Sequence, residues 1–77
     1  MIDLNEILQL PLNLQWDKFQ KSMGDKSKWD ILDFSESSII ELNNKYKTAV
    51  AAGYTPLGSI HTDANTNKLR CYLVKVK

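Results

Sequence analysis

The 77-residue sequence contains one cysteine, one histidine, three glycines and two prolines. Cys71, standing alone, forms no internal disulfide and supplies no thiolate-rich zinc site. Gly24, Gly53 and Gly58 are too widely spaced to build a P-loop or a dinucleotide-binding fingerprint. No apolar run approaches the roughly 20 residues that cross a bilayer, so no membrane association is expected. Asp3 and Glu6 occupy the stretch where a secretory signal would carry Lys or Arg, and the expected location is cytoplasmic. Ser35, Ser37 and Ser38 lack a Gly-x-Ser-x-Gly setting. Asp30, Asp33 and Glu36 match no calcium loop. No catalytic, metal-binding or cofactor-binding residue is assigned, and the expectation is a non-enzymatic protein.

Hydrophobic residues make up 43% of the chain and charged residues 25%, which is ordinary globular usage. The length predicts a single domain over residues 1–77, with a helical part at 1–27 and a β-α-β-β module at 28–77. A chain this short buries only about 60% of its unfolded surface. The net charge of +1 conceals an asymmetry. Residues 1–41 hold four lysines against eight carboxylates, while residues 42–77 hold six basic residues against Asp63 alone. Three readings follow: the uneven halves mark a binding face, the halves attract one another in the fold, or both are simply solvated.

Asp3 followed by Glu6 reads as a capping box, with Ile2 and Ile7 as a hydrophobic staple, opening a short helix that Pro11 ends. Leu12, Trp16, Phe19 and Met23 form the apolar stripe of a second helix, with Asn13 as its cap and Gly24 at its end. Residues 28–34 are rich in large apolar groups on both faces and predict a strand that is either central or covered on both sides. Ser38 and Glu41 form a second capping box before a longer helix whose apolar face carries Ile39, Leu42, Tyr46, Ala49 and Val50, ending at Gly53. Residues 54–62 predict a strand with Pro56 at an edge and a bulge near Gly58, because Leu57 and Ile60 are out of phase. Residues 63–67 are a hairpin loop, and 68–76 form the strongest strand. The expected fold is α+β: a three-stranded sheet with one long helix packed on it, preceded by two short N-terminal helices. A right-handed crossover makes the first two strands parallel.

His61 next to Asp63 suggests an acid–base pair only if the turn begins between them; otherwise it is a solvated surface group. Cys71, in the middle of a strand, reads as a small core hydrophobe. Lys68, Arg70 and Tyr72 share one strand face, while Lys75 lies on the other, so the terminal strand carries no single basic stripe. Both sheet faces carry large apolar residues, to be covered by the N-terminal helices, by self-association or by a partner. The candidate partner-binding residues are Trp16, Phe19, Arg70 and Tyr72, because aromatic and arginine side chains dominate binding hot spots.

Glu41-Leu42-Asn43, Gly53-Tyr54, Pro56-Leu57-Gly58 and Leu73-Val74-Lys75 form a pattern over residues 39–77. It resembles the small bacterial and phage family grouped as domain of unknown function 1737, with Tyr54 where that family usually has Trp. The resemblance implies a compact sheet-plus-helix module without catalytic residues, in cytoplasmic or phage-encoded proteins. The function expected from the residues and the resemblance together is a small protein-binding module, phage- or mobile-element-encoded, that modulates a host protein. The alternative is a nucleic-acid-binding accessory protein.

Overall fold

Breakers and apolar spacing divide the chain into short elements. The computed structural model describes residues 3–77. They form α1 (Leu4–Leu8), α2 (Leu12–Ser22), a 3-10 turn (Lys26–Lys28), β1 (Trp29–Glu36), α3 (Ile39–Ala51), β2 (Thr55–Thr62) and β3 (Leu69–Val76). The architecture is α+β, with a β-α-β-β module behind two short helices. No helix among the described residues is long and apolar enough to cross a membrane.

Asp3 caps α1, its Oδ1 accepting from the Asn5 backbone N–H at 2.9 Å. Ile7 is buried, whereas Ile2, its expected staple partner, lies outside the described residues. α2 begins directly after Pro11, so Asn13 sits inside the first turn instead of capping it. Ser38 has the extended backbone of an N-cap, but its side chain makes no capping hydrogen bond, so the capping box expected with Glu41 is not made. Gly24 and Gly53 both follow helix ends with positive φ, as their placement predicts.

β3 lies in the centre of the sheet, antiparallel to β1 on one side and to β2 on the other. β1 and β2 therefore run in the same direction, as the crossover predicts, but they do not pair. The α3 connection steps over the position that β3 later fills. The register places Trp29, Ile31 and Asp33 opposite Val76, Val74 and Tyr72 on one face. Leu32 and Phe34 lie opposite Leu73 and Cys71 on the other.

Each face has its own core. α3 buries Leu42 and Ala49 with Cys71 and Leu73. On the opposite face, Ile7 and Phe19 of the N-terminal helices pack with Trp29, Leu57 and Val74. The N-terminal helices thus cover the second apolar face, which the sequence alone left to three alternatives. The helix stripes are narrower than the periodicity implies. Ile39 and Val50 of α3 are almost half exposed, and Leu12 of α2 is more exposed still, because a single cylinder touches a sheet along a strip.

The bulge falls where Leu57 and Ile60 change phase. The β2–β3 register shifts between Leu57 and His61, so Leu57 joins the α2 side and Ile60 the α3 side. Gly58 at this shift has φ +74°, and a Cβ there would meet the Leu12 carbonyl at 3.1 Å. The charge asymmetry resolves into attraction between the halves. Glu36 pairs with Lys45, Asp33 with Arg70, and Asp30 with Lys77, each joining an acidic front-half residue to a basic back-half one.

The α3 orientation makes a stability prediction. Leu42→Ala removes a fully buried side chain and is expected to cost about 2–5 kcal/mol in urea unfolding. Ile40→Ala on the outer face, where Ile40 is 70% exposed, is expected to change stability by no more than about 0.5 kcal/mol. Equal losses at the two positions would contradict this packing.

Candidate functional site

Trp16, Arg70 and Tyr72 come together at one end of the sheet face that α2 covers. The α2 stripe turns Trp16 toward β3, and the alternation of β3 turns Arg70 and Tyr72 toward α2. The Trp16 and Tyr72 rings stack nearly parallel, with centroids 4.1 Å apart. Arg70 places its guanidinium carbon 5.5 Å from the Tyr72 ring centre, and the His61 ring lies 5.8 Å from it. Tyr72 is thus bordered by an indole, a guanidinium and an imidazole.

Phe19 does not belong to the exposed part of this cluster. Its exposure is 0%, which corrects its assignment as a partner contact. It stacks beneath Trp16 at 5.7 Å and meets the edge of Trp29 at 4.9 Å. Its role is to support Trp16 from the core side. The stripe spacing that identified Phe19 as a large apolar residue does not separate a core position from a rim one. That distinction depends on how α2 lies against β2.

Arg70 is held by two carboxylates. Its Nε donates to Asp33 Oδ1 at 3.3 Å and its Nη2 to Asp33 Oδ2, a bidentate pairing. Its Nη1 donates to Asp63 Oδ2 at 3.0 Å. Asp63 is therefore engaged with Arg70 and does not orient His61. The His61 Nδ1 lies 3.2 Å from the Ser59 carbonyl, so the acid–base pairing considered for His61 and Asp63 is absent from the geometry. Cys71 points into the opposite core, and burial, with the Asp33 charge adding to it, pushes its thiol pKa up. A thiol shifted in this direction is a poor nucleophile at neutral pH.

Beside the stacked rings, α2 and β2 enclose a cleft of about 370 Å³. Trp16 and Tyr72 form its aromatic wall, with Asn13, Asp17, Gln20 and His61 offering polar groups around it. Gln15, 3% exposed, fixes its width. Its Nε2 donates to the carbonyls of Leu8 and Leu10, at 3.2 and 3.0 Å. Its Oε1 accepts from the Gly58 N–H at 2.8 Å. Sequence reasoning missed Gln15. The signal was there, because it lies three residues after Leu12 and four before Phe19, a polar residue inside an apolar stripe. It also missed Asp33 as the anchor of Arg70, a contact made by strand register across 37 residues of sequence.

No protein-family model, curated protein or solved structure matches this chain, so a functional reading rests on its own residues.

The Asp63 carboxyl is held below the usual carboxylate range, first by the Asn65 N–H and then by Arg70. A carboxyl lowered in this way adds stability above its unfolded pKa and loses it as pH falls through the folded one. Stability is therefore expected to fall below about pH 4. Asp63→Asn is expected to remove part of that acid dependence and to lower stability at neutral pH. Carboxyl NMR titration checks the sign: a midpoint for Asp63 at or above that of aspartate in a short peptide would contradict it.

Proposed function

We propose that the protein is a non-enzymatic binding module that takes a protein partner at the Trp16–Tyr72 cleft, with Arg70 held against the Tyr72 ring beside it. The observation that carries this reading is the stack itself. A half-buried indole and phenol, locked ring on ring beside a cleft, form a rigid amphipathic surface with little rotamer entropy left to lose on binding. The polar groups around it give orientation, since Asn13 and Gln20 bring amides and Asp17 a carboxylate.

The alternative, nucleic-acid binding, has less support. Arg70 is the one cation in the aromatic cluster, and Asp33 and Asp63 neutralise it. Phosphate contact requires cations that can exchange their counterions for the backbone, and aromatic platforms for single strands work beside such cations.

Three variants test the reading on the intact chain. Asp17→Lys reverses a charge at the cleft without touching the core, since Asp17 is paired only with the exposed Lys21. Partners captured from extract by the wild type are expected to be lost with Asp17→Lys and with Trp16→Leu, and retained with Lys47→Ala on the outer side of α3. Capture that survives both cleft variants in their folded forms would rule out this surface. Salt-dependent binding of labelled DNA or RNA would favour the alternative.

A further inference from the structure

The two edges of the sheet differ. β2 carries Pro56 and the bulge at Gly58, and α2 packs against it, so it offers no straight edge for a further strand. β1 pairs with β3 over all eight residues without a register shift and holds no proline, glycine or lysine. The Lys77 N–H donates to the opposed Lys28 carbonyl at 3.0 Å, which fixes the phase of the ladder. Even-numbered residues of β1 therefore bond to β3, and the backbone groups of Ile31, Asp33 and Ser35 point out from the edge. Unfilled space borders this edge on both faces. On the α3 side an apolar groove of about 450 Å³ runs between Leu32 and Phe34 and the small residues Ala49 and Ala52. On the α2 side a cleft of about 300 Å³ adjoins Ile31 and Met23.

The strand is complementary to itself in one register. Its outward groups belong to odd-numbered residues, so two antiparallel copies of β1 bond odd to odd, about a two-fold axis level with one residue. An axis at Leu32 or at Asp33 keeps the longest overlap. At Asp33 it sets Asp33 against Asp33 and Asp30 against Glu36, which is like charge on like charge. At Leu32 no carboxylate lies opposite another. Glu36 comes level with Lys28 of the copy, a lysine that pairs with no carboxylate among the described residues. Asp30 comes opposite Phe34, whose ring has the Lys45 Nζ 5.9 Å from its centre. Asp33, held by its own Arg70, comes opposite Ile31.

We propose that β1 pairs with β1 of a second copy in this register, Leu32 on Leu32, joining the two three-stranded sheets edge to edge. Ile31 and Asp33 exchange both backbone hydrogen bonds with Asp33 and Ile31 of the copy. The Leu32 pair is of the close, non-hydrogen-bonded kind, and the apolar grooves of the two copies meet over it. The Trp16–Tyr72 cleft lies over β2 and β3 and takes no part in this contact, so the two surfaces stand independently.

Light scattering and amide exchange on the whole protein test the proposal. The mass is expected to pass from monomer to dimer as concentration rises. Protection of the Ile31 and Asp33 amides is expected to rise with it, while Leu32 and Phe34, already bonded to β3, stay unchanged. Lys28→Glu and Glu36→Lys are each expected to weaken dimerisation roughly tenfold, because the two-fold axis repeats the altered pair. The two substitutions together exchange the charges and are expected to restore it. A monomer at every concentration overturns the proposal, since the edge then serves another partner or none. A dimer without protection at Ile31 and Asp33, or a double variant no tighter than the single ones, overturns it equally. If a variant fails to fold, the wild-type concentration series decides by itself.

Discussion

The side chain of Gln15 ties together α1, α2 and the β2 bulge by hydrogen bonds beside the apolar core that they share. Its amide nitrogen closes the carbonyls at the end of α1, and its amide oxygen takes the Gly58 N–H at the β2 bulge. It is the one buried polar residue among the described residues, and all its bonds are to backbone. Removing it would leave donors and acceptors without partners where the helices meet the sheet, a cost that burial makes larger than the gain from making the bonds. With it in place, α2 has one position across β2. The bulge and the glycine belong to the same arrangement, because a side chain at residue 58 would collide with the Leu12 carbonyl.

From that position the aromatic chain follows. Trp29 on β1, Phe19 and Trp16 on α2 and Tyr72 on β3 touch in sequence, running from the core to the surface. The inner pair is core, and the outer pair is the wall of the cleft. Arg70 closes the row, held in place by Asp33 from β1 and Asp63 from the hairpin loop. One end of the sheet is thereby rigid and chemically mixed. The β1 edge on the far side of β3 is bordered by an apolar groove, and its carboxylates pair with Lys45, Arg70 and Lys77. A small fold thus presents two surfaces of different chemistry.

Local signals carried most of the fold. Helix ends at Gly24 and Gly53, the Asp3 cap, the strand alternation in 69–76 and the phase break between Leu57 and Ile60 are all decided within a few residues, and each was legible. The caps assigned to Asn13 and Ser38 were less so, because Pro11 starts α2 without a side-chain cap and the Ser38 side chain makes no bond to the first turn of α3. The strand order β1-β3-β2 was not legible, since no local feature says that the last strand fills the gap under the crossover. The site was half legible. Residue type picked out Trp16, Arg70 and Tyr72, which the fold does bring together. It could not show that Phe19 is core, nor that Asp33 and Asp63 neutralise Arg70, because both depend on contacts made across the sheet.

The central claim is that a single buried amide sets the helices on the sheet. The unfolding free energy of Gln15→Leu, a swap of similar size without hydrogen-bonding groups, tests it most directly. The expected result is a loss of about 2 kcal/mol or more, since the Gly58 N–H and two carbonyls lose their partner. A Gln15→Leu protein as stable as the wild type would contradict the account, because packing alone would then suffice to place α2.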